Sequence, residues 1–209
     1  MSVRNGEGST SANVATAEKP EATLSTRTIM ASTDMKSPAG NRTNGVEHTG
    51  WHVLHVLDHS IPLQSGYVYR TLSILAHQRE RGWRTTHLTG PRQGDSVALR
   101  EEVDGWDFHR TQGRRASPLI PGWKYLAVER DIEHRLLAVA RAERPDIIHA
   151  HSPALNALAA IRVGRRLGIP VVYEVRAFWE DAAADHGTSR EGGLRYRLSR
   201  GLETWVLRR

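Results

Sequence analysis

Three short stretches of this 209-residue chain concentrate side chains able to bind anions or handle protons: Asp58 to Gly66, His149 to Pro153, and Arg176 to Arg190. In the first, Ser65 and Gly66 stand before an apolar-periodic stretch. The free N–H groups and positive dipole end of a helix starting there suit a phosphate, and glycine lets a ligand approach the backbone. The same residues also suit a plain tight turn. In the second, His149 and His151 alternate along a strand end, so both rings point to one side, and His55 and His59 bring further imidazoles nearby. Nothing in the spacing fixes a third ligand for a zinc site, and no metal is expected there. Binding of substrate hydroxyls and simple strand-end packing both fit. In the third, Arg176 can clamp a phosphate with two parallel hydrogen bonds, or it can pair with Glu174 or Glu180 in a buried ionic network. Phe178 and Trp179 can stack on a sugar or cap the core.

The elements that must position these groups follow from periodicity and punctuation. Trp51–Leu57 is a short apolar run ended by Asp58, His59, Ser60 and Pro62, as for a buried strand entering a loop. Gly66–Arg81 has Tyr69, Leu72, Leu75 and Ala76 near one face of a helix, with Gly82 as its stop. A strand is expected over Arg84–Thr89 and a less regular one over Val103–Arg110. A helix is expected from Trp123 to Arg144, ended by Pro145. Asp146–Ala150, a helix from Pro153 to Leu167 closed by Gly168, and a strand from Pro170 to Val175 complete the alternation. Strands and helices alternating at this spacing predict an α/β fold: a parallel sheet with helices on both faces, whose ligands bind beyond the carboxyl ends of the strands. The three stretches above are the loops at those ends.

Composition bounds the rest. There is no cysteine, so thiol chemistry and disulfides are excluded, in keeping with a reducing cytoplasm. No apolar run approaches the roughly 20 residues needed to span a bilayer. In residues 1–50, Arg4, Lys19, Arg27, Lys36 and Arg42 balance Glu7, Glu18, Glu21, Asp34 and Glu47, so the net charge of +6 belongs to residues 51–209. Residues 1–50 lack aromatics and apolar periodicity and read as a disordered Ser/Thr-rich tail, with Met35 as an alternative start. The basic charge suits phosphorylated ligands, anionic lipid or nucleic acid. No recognition helix, aromatic platform or zinc motif supports nucleic acid, which is not expected as a partner.

Residues 55–66 (HVLDHSIPLQSG), 146–153 (DIIHAHSP) and 172–181 (VYEVRAFWED) resemble glycosyltransferase family 4. With 186–192 (HGTSREG), they are most similar to bacterial glycosyltransferases associated with PEP-CTERM and exosortase A exopolysaccharide loci. The resemblance covers residues 51–209. It implies the N-terminal, Rossmann-like, acceptor-side half of a GT-B enzyme, with a nucleotide-sugar donor, a glycan or lipid-linked acceptor, a retaining mechanism and no metal cofactor. By that resemblance Ser65 and Gly66 form the loop that approaches the donor phosphate. Many relatives carry a histidine just after the fifth strand, where this sequence has Arg176. Arg176 and His151 are then the catalytic candidates, Arg176 through charge stabilisation, and His59, His149, Glu180 and Arg190 the acceptor-binding ones. The family's Glu-x7-Glu signature of the donor half is not in this sequence.

Arg190–Arg209 reads as a basic amphipathic helix with Leu194, Leu198, Leu202 and Val206 every four residues. Its apolar stripe packs on the sheet, or with the arginines it docks on an anionic membrane surface, which makes peripheral inner-membrane contact a second localisation beside the cytoplasm. The helix reaches Arg209 without a glycine or asparagine cap, so truncation before a donor-binding domain is expected.

Overall fold

The structure, a computed structural model, describes residues 28–30, 41–43, 46–48, 50–94, 98–113, 123–176 and 193–209. Its elements in chain order are β1 (Thr28–Met30), β2 (Asn41–Thr43), β3 (Val46–His48), β4 (His52–Leu57), α1 (Gly66–Glu80), β5 (Arg84–Thr89), β6 (Arg100–Val103), β7 (Trp106–Arg110), α2 (Trp123–Glu143), β8 (Ile147–His151), α3 (Ala154–Leu167), β9 (Val171–Glu174) and α4 (Leu194–Leu207). The main sheet has the order β1-β9-β8-β4-β5-β7-β6. Its five inner strands are parallel, and β1 and β6 run antiparallel at the two edges. The five inner strands form the parallel α/β sheet expected from the alternation of elements, and the antiparallel edges are additions to it.

Two details depart from the sequence reading. The irregular strand expected over Val103–Arg110 is half of a hairpin, in which Asp104 and Gly105 adopt positive φ (50° and 74°) between β6 and β7. Two successive left-handed residues match the twist of the flanking strands, which is why Asp-Gly suits this turn. The stretch read as a disordered tail contains the short strands β1, β2 and β3. β1 pairs Thr28, Ile29 and Met30 with Glu174, Tyr173 and Val172 of β9. Such pairing uses main-chain groups at an open sheet edge and needs no apolar periodicity, so the pattern gave no sign of it.

The sheet has two unlike faces. Leu54, Val56, Leu88, Ile148, Ala150 and Tyr173 point to one, where α2, α3 and α4 cover them with Ile132, Leu136, Ala157, Ala160, Val163 and Val206. Gly164 lets α3 lie against β9: a Cβ there would stand 2.5 Å from Val171 Cγ2 and 2.7 Å from the Ile169 carbonyl oxygen. On the other face α1 covers a smaller apolar cluster of Leu57, Ile61, Val68 and Phe108. Beside it the strand register sets His149, His55 and His87 side by side on β8, β4 and β5, with Phe108 next on β7. A row of imidazoles thus lies where the other face carries aliphatic side chains. In α4 the expected apolar stripe divides: Val206 is buried and Leu202 packs against the core, whereas Leu198 is 64% exposed.

Candidate functional site

β4 is where the chain turns from building one half of the sheet to building the other. Its carboxyl end, next to that of β8, is the crevice where ligands of open α/β sheets are received. Ser65 there caps α1, its hydroxyl accepting from the Val68 N–H at 3.3 Å. A Cβ added at Gly66 would meet nothing within 4 Å, and its φ is not left-handed. Neither packing nor backbone conformation demands glycine at that position, and the start of the helix is open to a ligand.

The loop leading to this helix is held by polar side chains. His59 Nδ1 lies 3.1 Å from Asp58 Oδ2 and its Nε2 lies 3.0 Å from the Ser65 hydroxyl, while its ring stacks on Tyr67 at 4.8 Å. The Asp58 N–H donates to the Tyr67 hydroxyl (3.0 Å). Farther round, the Gln93 amide brackets the loop, accepting from the Ser60 N–H (2.7 Å) and donating to the Ser60 carbonyl (3.1 Å). Buried Arg110 donates to the Ile61 carbonyl (2.8 Å) and to Glu101 (2.8 Å). Gln93 and Arg110 gave no signal in the sequence, because their role exists only once β7 lies beside β5.

Arg176 lies beneath this surface. Its side chain is only 6% exposed. Nη1 donates to the Tyr67 carbonyl (2.8 Å) and the Thr71 hydroxyl (2.7 Å), Nη2 lies 2.5 Å from His151 Nδ1, and the guanidinium sits 4.4 Å over the Tyr67 ring. The residue predicted to face a phosphate therefore grips the first two turns of α1 from below. Glu174 is buried among Arg70 (3.0 Å), His151 (3.1 Å), His149 (3.4 Å) and Arg176 (3.4 Å). Burial alone would raise its pKa, but the His149 imidazole and the Arg176 charge prevail and hold it well below the usual carboxylate range. Burial and neighbouring positive charge likewise push His55 and His151 far below the ordinary imidazole value, so both are neutral.

His149 and His151 stack at 4.2 Å, and the neighbouring strand adds His55, so that nitrogens of all three lie within 4.8 Å of one another. The third imidazole that spacing could not identify is supplied by register. Such a trio has the donor chemistry of a zinc site, and the positions of its protons decide whether it can act as one. Glu180 and Arg190, expected to contact an acceptor, lie outside the described residues. A pocket of about 190 Å³ lies away from this site, at the opposite end of β5, where Arg84 pairs with Glu143 and Arg100 with Asp107.

Residues 65–209, well over half of the chain, match the glycosyl transferase 4-like domain. The chain belongs to that family. No curated protein matches it in sequence. Among solved structures this glycosyl transferase 4-like chain is similar to sucrose-phosphate synthase from Thermosynechococcus elongatus (13% identity, TM-score 0.49, 75% of this chain and 40% of that one). It is also similar to MurG of Acinetobacter baumannii (16%, TM-score 0.40, 58% and 34%) and to the calicheamicin glycosyltransferase CalG4 (13%, TM-score 0.42, 75% and 42%). In each case the chain spans less than half the length of the protein it resembles. Among the described residues no helix is long and apolar enough to cross a membrane.

Proposed function

We propose that this glycosyl transferase 4-like domain is the acceptor-side half of a glycosyltransferase, and that the open start of α1 receives the diphosphate of a nucleotide-sugar donor. The carrying observation is the Ser65-capped helix start at the carboxyl end of the central strand, with nothing occupying the space over Gly66. Its N–H groups and dipole stabilise an anion, and Arg92 and Arg70, both half exposed, add positive charge at the rim. In the transfer, the acceptor hydroxyl oxygen bonds to the anomeric carbon as the bond to the donor phosphate breaks. The electron pair leaves with the phosphate, one of whose oxygens takes the hydroxyl proton. The sugar keeps its anomeric configuration. His59, partly exposed beside Ser65, and His149 meet acceptor hydroxyls, and the Arg176 charge, its guanidinium held by His151, stabilises the developing charge from beneath.

The acceptor is a glycan or lipid-linked sugar of exopolysaccharide assembly at loci of the PEP-CTERM and exosortase A kind. Leu198, 64% exposed, and Trp205, 40% exposed, lie on α4 with Arg197 and Arg200, and Arg208 and Arg209 follow directly after it, a combination suited to an anionic inner-membrane surface. Nucleotide sugars titrated into the 15N-labelled chain are expected to shift the Gly66 and Tyr67 amides. If uridine, guanosine and thymidine diphosphate sugars all leave those amides unmoved at millimolar concentration, the reading fails. Shifts without transfer of labelled sugar to a lipid or glycan acceptor would make the domain a binding module.

A further inference from the structure

The His55–His149–His151 trio has two self-consistent arrangements, which differ in the proton on His151. A metal ion held by the facing nitrogens, His55 Nδ1 and His151 Nε2 at 2.9 Å, would need a lone pair on both. The protons would then sit on the outer nitrogens, on His151 toward Glu174 and on His55 toward Gln78. The alternative is a directed chain of hydrogen bonds. A guanidinium can only donate, so Arg176 Nη2, 2.5 Å from His151 Nδ1, makes that nitrogen an acceptor. A neutral His151 then carries its proton on Nε2 and donates to His55 Nδ1. His55 in turn donates from Nε2 to the Gln78 carbonyl oxygen at 2.8 Å. Each ring uses its one proton and its one lone pair, and every contact along the chain joins a donor to an acceptor.

Two groups approach His151 Nδ1, and their geometry decides between the arrangements: the Arg176 contact is a hydrogen bond, whereas Glu174 Oε2 at 3.1 Å makes none, so the nitrogen accepts from Arg176 and carries no proton. We propose that His55 is a positioning residue for the anion-receiving start of α1, acting through His151 on Arg176. The path is continuous. Gln78, near the far end of α1, anchors His55 on β4. His55 orients the His151 ring on β8, whose Nδ1 receives Arg176 at the end of β9. Arg176 holds the Tyr67 carbonyl and the Thr71 hydroxyl in the first two turns of α1. Both imidazoles are fully buried, so no water competes for these bonds. His55 touches no ligand and sets only where the N–H groups of the first turn point. The inference rests on the diphosphate reading of the α1 start.

The test is nuclear magnetic resonance on the 15N-histidine-labelled chain, which reports the tautomer of each ring, combined with titration of inorganic pyrophosphate followed at the Gly66 amide. His151 is expected as the Nε2–H tautomer, unchanged by added zinc. His55→Leu should leave the His151 proton without an acceptor and weaken pyrophosphate binding about tenfold, the effect of losing one well-placed hydrogen bond in a buried chain. His55→Asn, whose carbonyl oxygen can replace Nδ1 as acceptor, should restore binding to within about threefold of the native chain. An Nδ1–H tautomer at His151, or zinc binding that shifts all three rings, overturns the proposal, as does equal weakening by Leu and Asn. The tautomer is read without ligand and in the native chain, so it still decides the role of His55 if His55→Leu does not fold. Failure of the native chain to bind pyrophosphate would count against the diphosphate reading instead.

Discussion

Arg110 is the largest fully buried side chain among the described residues, and it ties the loop after β4 to β5 and β6 through Ile61, Thr89 and Glu101. Arg110→Met keeps most of the volume and removes those bonds, and is expected to cost about 2–3 kcal/mol, measured as a lower urea midpoint at unchanged slope. His59→Ala acts at a partly exposed ring. It should leave the unfolding free energy measured in urea within about 0.5 kcal/mol of native, yet weaken nucleotide-sugar binding because Ser65 and Asp58 lose their common partner. Equal affinity in isothermal calorimetry would remove His59 from the site. At this scale the sequence was informative about direction and silent about partners. Alternation put His149 and His151 on one side, and they do stack. The choice between a phosphate clamp and an ionic partner for Arg176 stayed open until the fold placed Tyr67 and Thr71 within its reach, more than a hundred residues earlier in the chain.

The elements themselves were readable wherever a pattern was long and punctuated. β5 and the start of α1 fall where expected, and Gly168 closes α3 in the left-handed conformation its position predicts. The hairpin at Asp104-Gly105 was missed because four polar-rich residues of β6, half of them exposed, show no apolar run. Glycine tests the packing of two helices in opposite senses. Gly164→Ala would push a methyl against the Ile169 carbonyl, a backbone group that cannot swing aside, and should destabilise by about 1–3 kcal/mol. Gly201→Ala in α4 meets open space and should stabilise by about 0.5–1 kcal/mol, since the unfolded chain loses conformational freedom that the helix never had. Thermal melts of the two variants should move in opposite directions, and a shared sign would mean that α3 or α4 is packed otherwise.

Across the whole molecule, four buried imidazoles make stability depend on pH. Burial, with the Arg84 charge, lowers His52 to about 4, and burial lowers His87 to about 4. Burial also holds His55 and His151 well below the ordinary value. Below about pH 6.5 the unfolded chain takes up protons that the folded one refuses, so stability is complete above that pH and declines as pH falls toward 4. Each such ring contributes a slope of about 1.4 kcal/mol per pH unit in that window. Ionised Glu174 adds a further loss once the pH drops below the ordinary carboxylate range. Urea midpoints from pH 7.5 to 4.5 should fall steeply, and a flat profile would show that the rings are accessible to protons in the folded state. The two faces of the sheet should not yield together. α2, α3 and α4 are joined to it by a broad aliphatic layer, whereas α1 rests on a smaller cluster and on bonds from imidazoles and a guanidinium. Amide hydrogen exchange should therefore find α1 opening as a separate cooperative unit in mild acid, while the amides of α3 exchange only with global unfolding. The helix proposed to offer its N–H groups to a diphosphate is then also the first part of the domain to let go, and on that proposal ligand binding should slow its exchange more than that of any other helix.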